Sequence, residues 1–422
     1  MAQIPKLDNA PLNLKFMREH SQKELINILK SIRGRKCLVV DPKLAGSLSL
    51  IIQTALLREH GVELRHLSDE TIQTDCSNVV FLVLACEMLL EVENVHDLLH
   101  IGEYPLYIVP LDEDVFSFEL DLCLKECLVD GDTSSLWHVA KAIHMLEFYC
   151  GVIPNVRAKG NASVRVADIL NRMQIEEPIS SSDMVVPEIT TVILLNREVD
   201  MVTPMCTQLT YEGIVDEFLR INNGSVEVDP SAMDVKQERQ KMKVPLNSSD
   251  KLFKEIRDLR FEVVVRILRQ KATSMKQDYN EVTSKQTVSE IKNFVKKMHS
   301  YPEVARHINL AKHLMTFMSK PSFRRLLDME QTIVETESFD MCSDYIEEMM
   351  LKREPLVNVL RLLILLSITN SGLPEKNFDH LRNELLITYG FGHRVTLKNL
   401  KKAGLFKHSP CSACYSIWMV SN

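Results

Sequence analysis

Glycine is scarce in this sequence, 13 of 422 residues, and the phosphate-cradling patterns GxxxxGK[ST] and GxGxxG are both missing, as is the nucleophile elbow GxSxG. Those absences argue against a nucleotide-binding enzyme or a serine hydrolase. A basic excess is missing too: 50 Lys and Arg stand against 57 Asp and Glu, a net charge of −7, which leaves no electrostatic footprint for nucleic acid. The longest apolar run, Val359 to Ile368, is interrupted by Arg361 and is half the roughly 20 residues a bilayer span needs. The first fourteen residues are polar and broken by proline, unlike a secretory signal. The ten cysteines follow no regular spacing, and Cys37, Cys86, Cys123 and Cys206 lie inside apolar runs, the usage of a reducing compartment. A cytosolic protein that meets membranes only indirectly, through partners, is expected.

What is present is ordinary globular material, 45% apolar and 25% charged, long enough for roughly two to four domains. Leu14 to Ile32 has helical periodicity and Gly34 stops it. Lys36–Asp41 reads as a buried strand, Ser47–His60 as a helix, and Val62–Leu67, Asn78–Leu84 and Leu106–Leu111 as further strands, the order of an open parallel α/β sheet. Helices over Ser134–Tyr149 and Ala162–Met173 and the strand Ile189–Leu195 begin a second α/β unit. From Asp229 to about Glu354 only helical spacing is visible, in stretches such as Leu252–Tyr279 and Ser289–Met298. Between Asp234 and Lys297 there are 16 Lys/Arg and 9 Asp/Glu, a basic helical block suited to docking or merely to solvating a long hairpin. Helices over Pro355–Ile368 and Asn377–Gly404 follow, and Lys407–Asn422 shows no pattern.

Three clusters have the residue types of a site. His96 and His100 stand four apart, as zinc ligands on one helix face would, but no third ligand accompanies them. Cys411 and Cys414, near His408, form a single CxxC, a weak signal without a second pair. Asp112, Glu113 and Asp114 follow a strand and suit a hard cation or, more simply, an acidic helix start. No metal or cofactor is expected from any of them.

The informative stretch is NREVDMVTPMCTQLTYEGIVDE, Asn196 to Glu217, at the exit of an apolar strand. Thr203-Pro204 suits a turn, and Thr207 or Thr210 can cap a helix through Leu219. Glu212 and Asp216, four apart, share a helix face; with Arg197 they make either an ion-pair lattice locking loop to helix or a carboxylate pair for acid-base work. No histidine, nucleophile or phosphate loop accompanies them, which favours the structural reading.

These residues resemble the signature of the Sec/Munc family of SNARE-binding fusion regulators, D-R-x-x-D-x-x-T-P followed by T-Y-E-G. Arg197, Asp200, Thr203, Pro204, Thr210, Tyr211, Glu212 and Gly213 match, and Asn196 stands where the family has Asp. Asp130–Ile143, Val359–Leu373 and Ile387–Leu405 are similar to the vacuolar-sorting subgroup, closer in wording to its A-type than its B-type animal paralogue. The resemblance implies an arch of α/β domains with a helical insertion: an N-terminal α/β domain over 1–104, the first part of a second over 105–228, the insertion over 229–354, and a helical return over 355–406. The signature residues, Asp216 included, are then architectural. The resemblance also implies no enzymatic activity and no cofactor. It implies SNARE helices and a Vps-sixteen-type subunit, with other class C vacuolar-sorting subunits, as partners on late endosomes and lysosomes.

Two departures stand out. After Val79–Val83 the family's Arg-Pro-Arg element and following strand are missing, and the segment 407–422 looks unrelated to the family. A shortened form is expected, with its second sheet incomplete and apolar surface open. A tether scaffold that has lost SNARE binding is the chief alternative, and a cytosolic α/β enzyme the lesser one.

Overall fold

The computed structural model describes residues 4–67, 75–82, 104, 106–179, 186–233, 241–282, 301–335 and 338–409. Helix α1 (Leu14–Ser31) begins where the Asn13 side chain accepts the Phe16 amide at 3.1 Å, and it buries Leu14, Met17, Leu25 and Leu29. Strand β1 (Lys36–Val40) is buried along its whole length because every residue after Lys36 is apolar. It lies between β2 (Val62–His66) and β3 (Asn78–Leu82), parallel to both. The helix expected over Ser47–His60 is instead two, α2 (Pro42–Ile51) and α3 (Thr54–Glu59). Asp41 caps α2 and Pro42 opens it, which moves the start forward. The break at Ile52, whose backbone is extended, buries Ile51 and Ile52 together, which successive positions on one helix do less well.

The strand expected over Leu106–Leu111 does not join that sheet. Only Val109–Pro110 (β4) is extended, paired antiparallel with Phe116–Ser117 (β5), and Pro110 offers no N–H to continue a ladder. Two long helices, α4 (Ser134–Cys150) and α5 (Asn161–Glu176), then pack over β6 (Asn155–Lys159) and β7 (Thr191–Leu195), a parallel pair. Strand β6, NVRAK, escapes sequence reading because only Val156 and Ala158 are shielded, each in part, between exposed Asn155, Arg157 and Lys159, and Val156 packs on the helices. Gly160 turns the chain from β6 into α5 at φ +99°, and a Cβ there would overlap the Asn196 side chain.

Helix α6 (Tyr211–Leu219) leads to β8 (Ser225–Val228), which pairs antiparallel with β9 (Met242–Pro245), a strand in a stretch expected to hold none. Four residues ending in proline give too short a pattern to register. The helix expected over Leu252–Tyr279 is broken into α7 (Lys251–Ile256) and α8 (Phe261–Val282) because residues 257–260 run alongside the signature: the Tyr211 amide donates to the Leu259 carbonyl and the Phe261 amide to the Leu209 carbonyl. Helix α9 (Tyr301–Met318) completes this core, which joins Tyr211, Ile214 and Val226 to Phe253, Val264 and Leu310 and so runs across residue 228.

A second core is formed by α10 (Pro321–Glu335), α11 (Phe339–Leu351), α12 (Leu356–Thr369), α13 (Glu375–Tyr389) and α14 (Arg394–Lys402). Helix α12 buries Leu362, Leu363, Leu365 and Leu366 almost completely, which accounts for the apolar run as core. The single helix expected over Asn377–Gly404 is divided between α13 and α14 at Gly390, whose φ is +103°.

Gly160→Ala is expected to destabilise the protein by about 1–3 kcal/mol in thermal or urea unfolding. Gly131→Ala, with φ +76° but open space around it, should cost less, and Asn196→Ala should restore part of the Gly160→Ala loss. Equal effects of the two glycine substitutions would show that Asn196 is no obstacle.

Candidate functional site

The signature begins at the end of β7. The Asn196 side-chain amide donates to Glu198 at 2.8 Å while its Oδ1 is enclosed and accepts nothing. Arg197 Nη1 reaches only the Asp200 carbonyl, at 3.4 Å. Asp200 Oδ1 accepts the amides of Val202 and Thr203, each at 3.0 Å. Bonds from Thr203, side chain first, hold the Asp200 carboxyl below its ordinary range. Thr203, Pro204 and Met205 form one tight turn.

Thr207 is buried, and both its amide and hydroxyl donate to Glu330 of α10 at 2.8 Å. Arg361 of α12 lies on the same group: Nη1 contacts both carboxylate oxygens of Glu217 at 2.8 and 2.9 Å, and Nη2 contacts Thr207 Oγ1 at 3.2 Å and Glu330 at 3.4 Å. Burial pushes the Glu330 carboxyl up, and the Thr207 bonds and Arg361 pull it only partly back.

Thr210 caps α6 through its hydroxyl, which accepts the Gly213 amide at 3.2 Å. Gly213 is required there because a Cβ would overlap Gln208 and crowd the capping oxygen. Tyr211 is fully buried, with its hydroxyl 2.9 Å from His307 Nδ1 of α9. His307 Nε2 is 3.1 Å from Asp250, which also takes Arg306 at 3.0 Å and caps α7 by accepting the Phe253 amide at 3.0 Å. Burial raises the Asp250 carboxyl most, but the bonds from His307 and Phe253, with the neighbouring charges of His307 and Arg306, outweigh it and leave it below the ordinary range. Burial, then the Asp250 charge, drives the Tyr211 hydroxyl up, so it stays protonated.

Glu212 forms a bidentate pair with Arg257, at 2.7 and 3.1 Å, and Arg257 Nη1 turns to Asp112 at 2.7 Å. Asp112 also accepts the Ser248 amide and hydroxyl. Glu113 pairs with Lys254 at 2.5 Å. The carboxylates Asp112 and Glu113, candidates for a hard cation, are thus filled by protein cations. Asp216 accepts the Ile221 amide at 2.9 Å and closes the end of α6.

The lattice expected among Arg197, Glu212 and Asp216 therefore does not form. Each takes a different partner, because Arg197 stays with its own loop while Glu212 and Asp216 serve opposite ends of α6. Nor are Glu212 and Asp216 a carboxylate pair. Asp112, Asp250, Arg257, His307, Glu330 and Arg361 were missed as members of the site. One signal for them existed: Arg361 inside an apolar run, a charge that a core helix keeps only for a partner. His96, His100, Cys411 and Cys414 lie outside the described residues, and His408 rests edge-on against Phe378. Among the described residues no group of three His, Cys, Asp or Glu is placed to hold a metal ion, and no helix is long and apolar enough to cross a membrane.

The site is thus an open α/β framework with a helical body clamped onto one strand exit, and the signature carboxylates Asp200, Glu212 and Asp216 are each held by an internal donor. A model of the Sec1 family matches residues 36–413, and the chain belongs to that family. It is 62% identical to the vacuolar protein-sorting-associated protein 33 homolog of Arabidopsis thaliana, over 96% of this chain and 75% of that one. Identity to the rat proteins 33A and 33B is 33% and 29%, the higher value on the A-type side. The fold is similar to that of the SM protein Vps45 in complex with the Qa SNARE Tlg2, with a TM-score of 0.57 at 17% identity over 93% of this chain and 78% of the other. It is equally similar to the Unc18–syntaxin 1 complex of Monosiga brevicollis, at 0.57 and 16% over 93% and 79%. Within this family the chain is not an enzyme.

Arg257→Met strands Glu212 and Asp112 and is expected to cost about 2–4 kcal/mol. Glu330 carries the pH signature of its burial. A carboxyl raised on folding adds stability below its unfolded value, 4.5, and loses it as pH rises through the higher folded value. Glu330→Gln should therefore flatten that decline in unfolding measured from pH 4 upward, whereas an unchanged slope would place the titration elsewhere.

Proposed function

We propose that this chain is a SNARE-binding regulator of vesicle tethering and fusion in transport to the vacuole or lysosome. It acts within a HOPS- or CORVET-type complex beside a Vps-sixteen-type subunit, peripheral on late endosomal and lysosomal membranes. We further read the segments 1–104, 105–228, 229–354 and 355–406 as the parts of a Sec/Munc arch, with the signature residues Arg197, Asp200, Thr203, Pro204, Thr210, Tyr211, Glu212, Gly213 and Asp216 as its architectural joint.

The observation that carries the reading is the set of polar clamps on α6 and the segment leading into it. Tyr211 holds α9, Glu212 holds the α7–α8 junction, and Thr207 with Glu217 holds α10 and α12. A helical body fixed in this way can order flexible segments side by side in a helix-in-groove mode, which lowers the entropy cost of their later zippering. Family membership and relatives named for vacuolar sorting support the pathway. A separate surface supports the tether partner: Ile387 of α13, Phe391 in the turn after Gly390 and Val395 of α14 are 68%, 74% and 65% exposed, large apolar side chains gathered around the α13–α14 connection.

The test is a pull-down of the purified chain against the Vps-sixteen-type subunit and endolysosomal SNARE domains, with thermal melts alongside. Phe391→Asp is expected to abolish tether capture while leaving the melt and SNARE capture intact. Glu212→Gln should lower the melting temperature and SNARE capture together; a stable Glu212→Gln protein that has lost SNARE binding would make Glu212 a contact residue instead. Tether capture with no SNARE affinity would assign a scaffold.

A further inference from the structure

Ile4, the face of α1 that carries Arg18 and Gln22, and α3 with Gln53 before it line a cleft of about 280 Å³. Ile4 and Leu56 give it apolar wall, Gln22 and Gln53 bring side-chain amides, and Arg18 and Glu59 bring its two charges. Arg18 is half-buried, and its one hydrogen bond runs from Nη1 to the Pro5 carbonyl at 2.8 Å. Its Nε and Nη2 meet no acceptor among the described residues, and both are open to water, whereas the Arg361 Nε is sealed. No carboxylate pairs with Arg18 among the described residues: Asp8, whose charge reaches it, is held by Lys15 at 2.8 Å, and Glu59 of the same cleft forms no ion pair with it. Burial pushes the Arg18 guanidinium down, and the charges of Glu19 and Asp8 offset only part of that. The neighbourhood is short of negative charge, since three cations, Lys6, Lys15 and Arg18, act on two carboxylates, Asp8 and Glu19.

We propose that this cleft docks one acidic side chain, a glutamate or aspartate that a partner polypeptide presents among uncharged residues, with its carboxylate on the Nε–Nη2 edge of Arg18. That edge carries two N–H groups side by side, the fork that a carboxylate meets bidentately. Folding has already stripped part of the water from this cation, so pairing it costs less than pairing a fully hydrated one. The size and lining of the cleft choose the occupant. It falls below the roughly 300–1,000 Å³ of cofactor and drug-sized sites, which suits a side chain with its flanking backbone. Glu59 repels a phosphate dianion more strongly than a single carboxylate. The Gln22 amide nitrogen is spent on the Ile51 carbonyl, but the Gln22 side-chain oxygen and the Gln53 amide match a peptide backbone, which brings one donor and one acceptor per residue.

The experiment uses the full chain and two fluorescent synthetic peptides of alanine, leucine and glutamine, one with a single central glutamate and one with glutamine, its neutral isostere, in that place. Anisotropy titrations should show the glutamate peptide binding about tenfold more tightly. Arg18→Gln should erase the preference, and Arg18→Lys, which keeps the charge but not the fork, should retain only part of it. Because Arg18 also holds the Pro5 carbonyl, a second variant leaves that bond alone: Ala55→Glu, at an exposed position of the same cleft, supplies a competing carboxylate and should abolish the preference with an unchanged thermal melt. Equal binding of the two peptides by the unmodified chain overturns the proposal. So does a preference that survives both Arg18→Gln and Ala55→Glu, which would place the contact elsewhere. Displacement of the glutamate peptide by an equal concentration of 4-methylpentanoate would give the cleft to a free organic acid and also overturn it. The cleft shares no residue with the surface around Phe391, so the two readings fail separately.

Discussion

The central body depends on one constraint: the side chains that clamp α6 to its surroundings, Tyr211, Glu212 and Glu217 with His307, Arg257 and Arg361, are buried or half-buried, and they meet their partners only in the folded chain. Arg257 illustrates it. Its guanidinium spans Glu212 on α6 and Asp112 from the turn after β4, residues a hundred apart in sequence, and it can satisfy both only when the α7–α8 junction stands between them. Replacing such pairs by apolar side chains often leaves stability unchanged, but breaking one is costly. Their contribution is therefore to geometry more than to net stability: apolar packing tolerates a helix sliding by a fraction of a turn, and a bidentate pair does not.

The same reasoning shows what was legible in the sequence. Periodicity located α1, β1, β2, α4 and α5 because each owes its state to its own apolar pattern. The residues that broke expected helices are informative in retrospect. Ile52 left a helix to enter the core, and residues 257–260 left one to pair with Leu209 and Tyr211. Both breaks are imposed by contacts distant in sequence, which a local window cannot contain. The signature followed the same division. Thr210 capping and the tight Thr203 turn were readable because their partners lie within three residues, whereas the partners of Thr207, Tyr211 and Glu212 lie 123, 96 and 45 residues away.

Charge gives a further case. The block from Asp234 to Lys297 looks basic when counted along the chain, yet several of its cations meet carboxylates from outside it: Lys243 meets Glu227, Lys254 meets Glu113, and Arg257 meets Glu212 and Asp112. Net charge over a sequence window is not net charge over a surface. The excess that suggests a basic docking block is in part the other half of the clamps, so these described cations add less to any surface charge than a count along the chain implies.

These threads meet in the relation between rigidity and binding. A protein that aligns flexible helices must hold its own grooves fixed, since any freedom left in the platform adds to the ordering cost of the guests. Tyr211, His307 and Asp250 form a continuous chain of hydrogen bonds from α6 through α9 to the cap of α7, with His307 wholly enclosed and stacked on Phe253. Such a chain is satisfied in one arrangement and leaves a buried polar atom bare in any other. The exposed apolar side chains Phe391 and Phe148 lie outside this core. The interior is thus wired for a single geometry while large apolar side chains remain exposed outside it, and on the proposed reading that division would let a rigid platform meet its partners without reorganising.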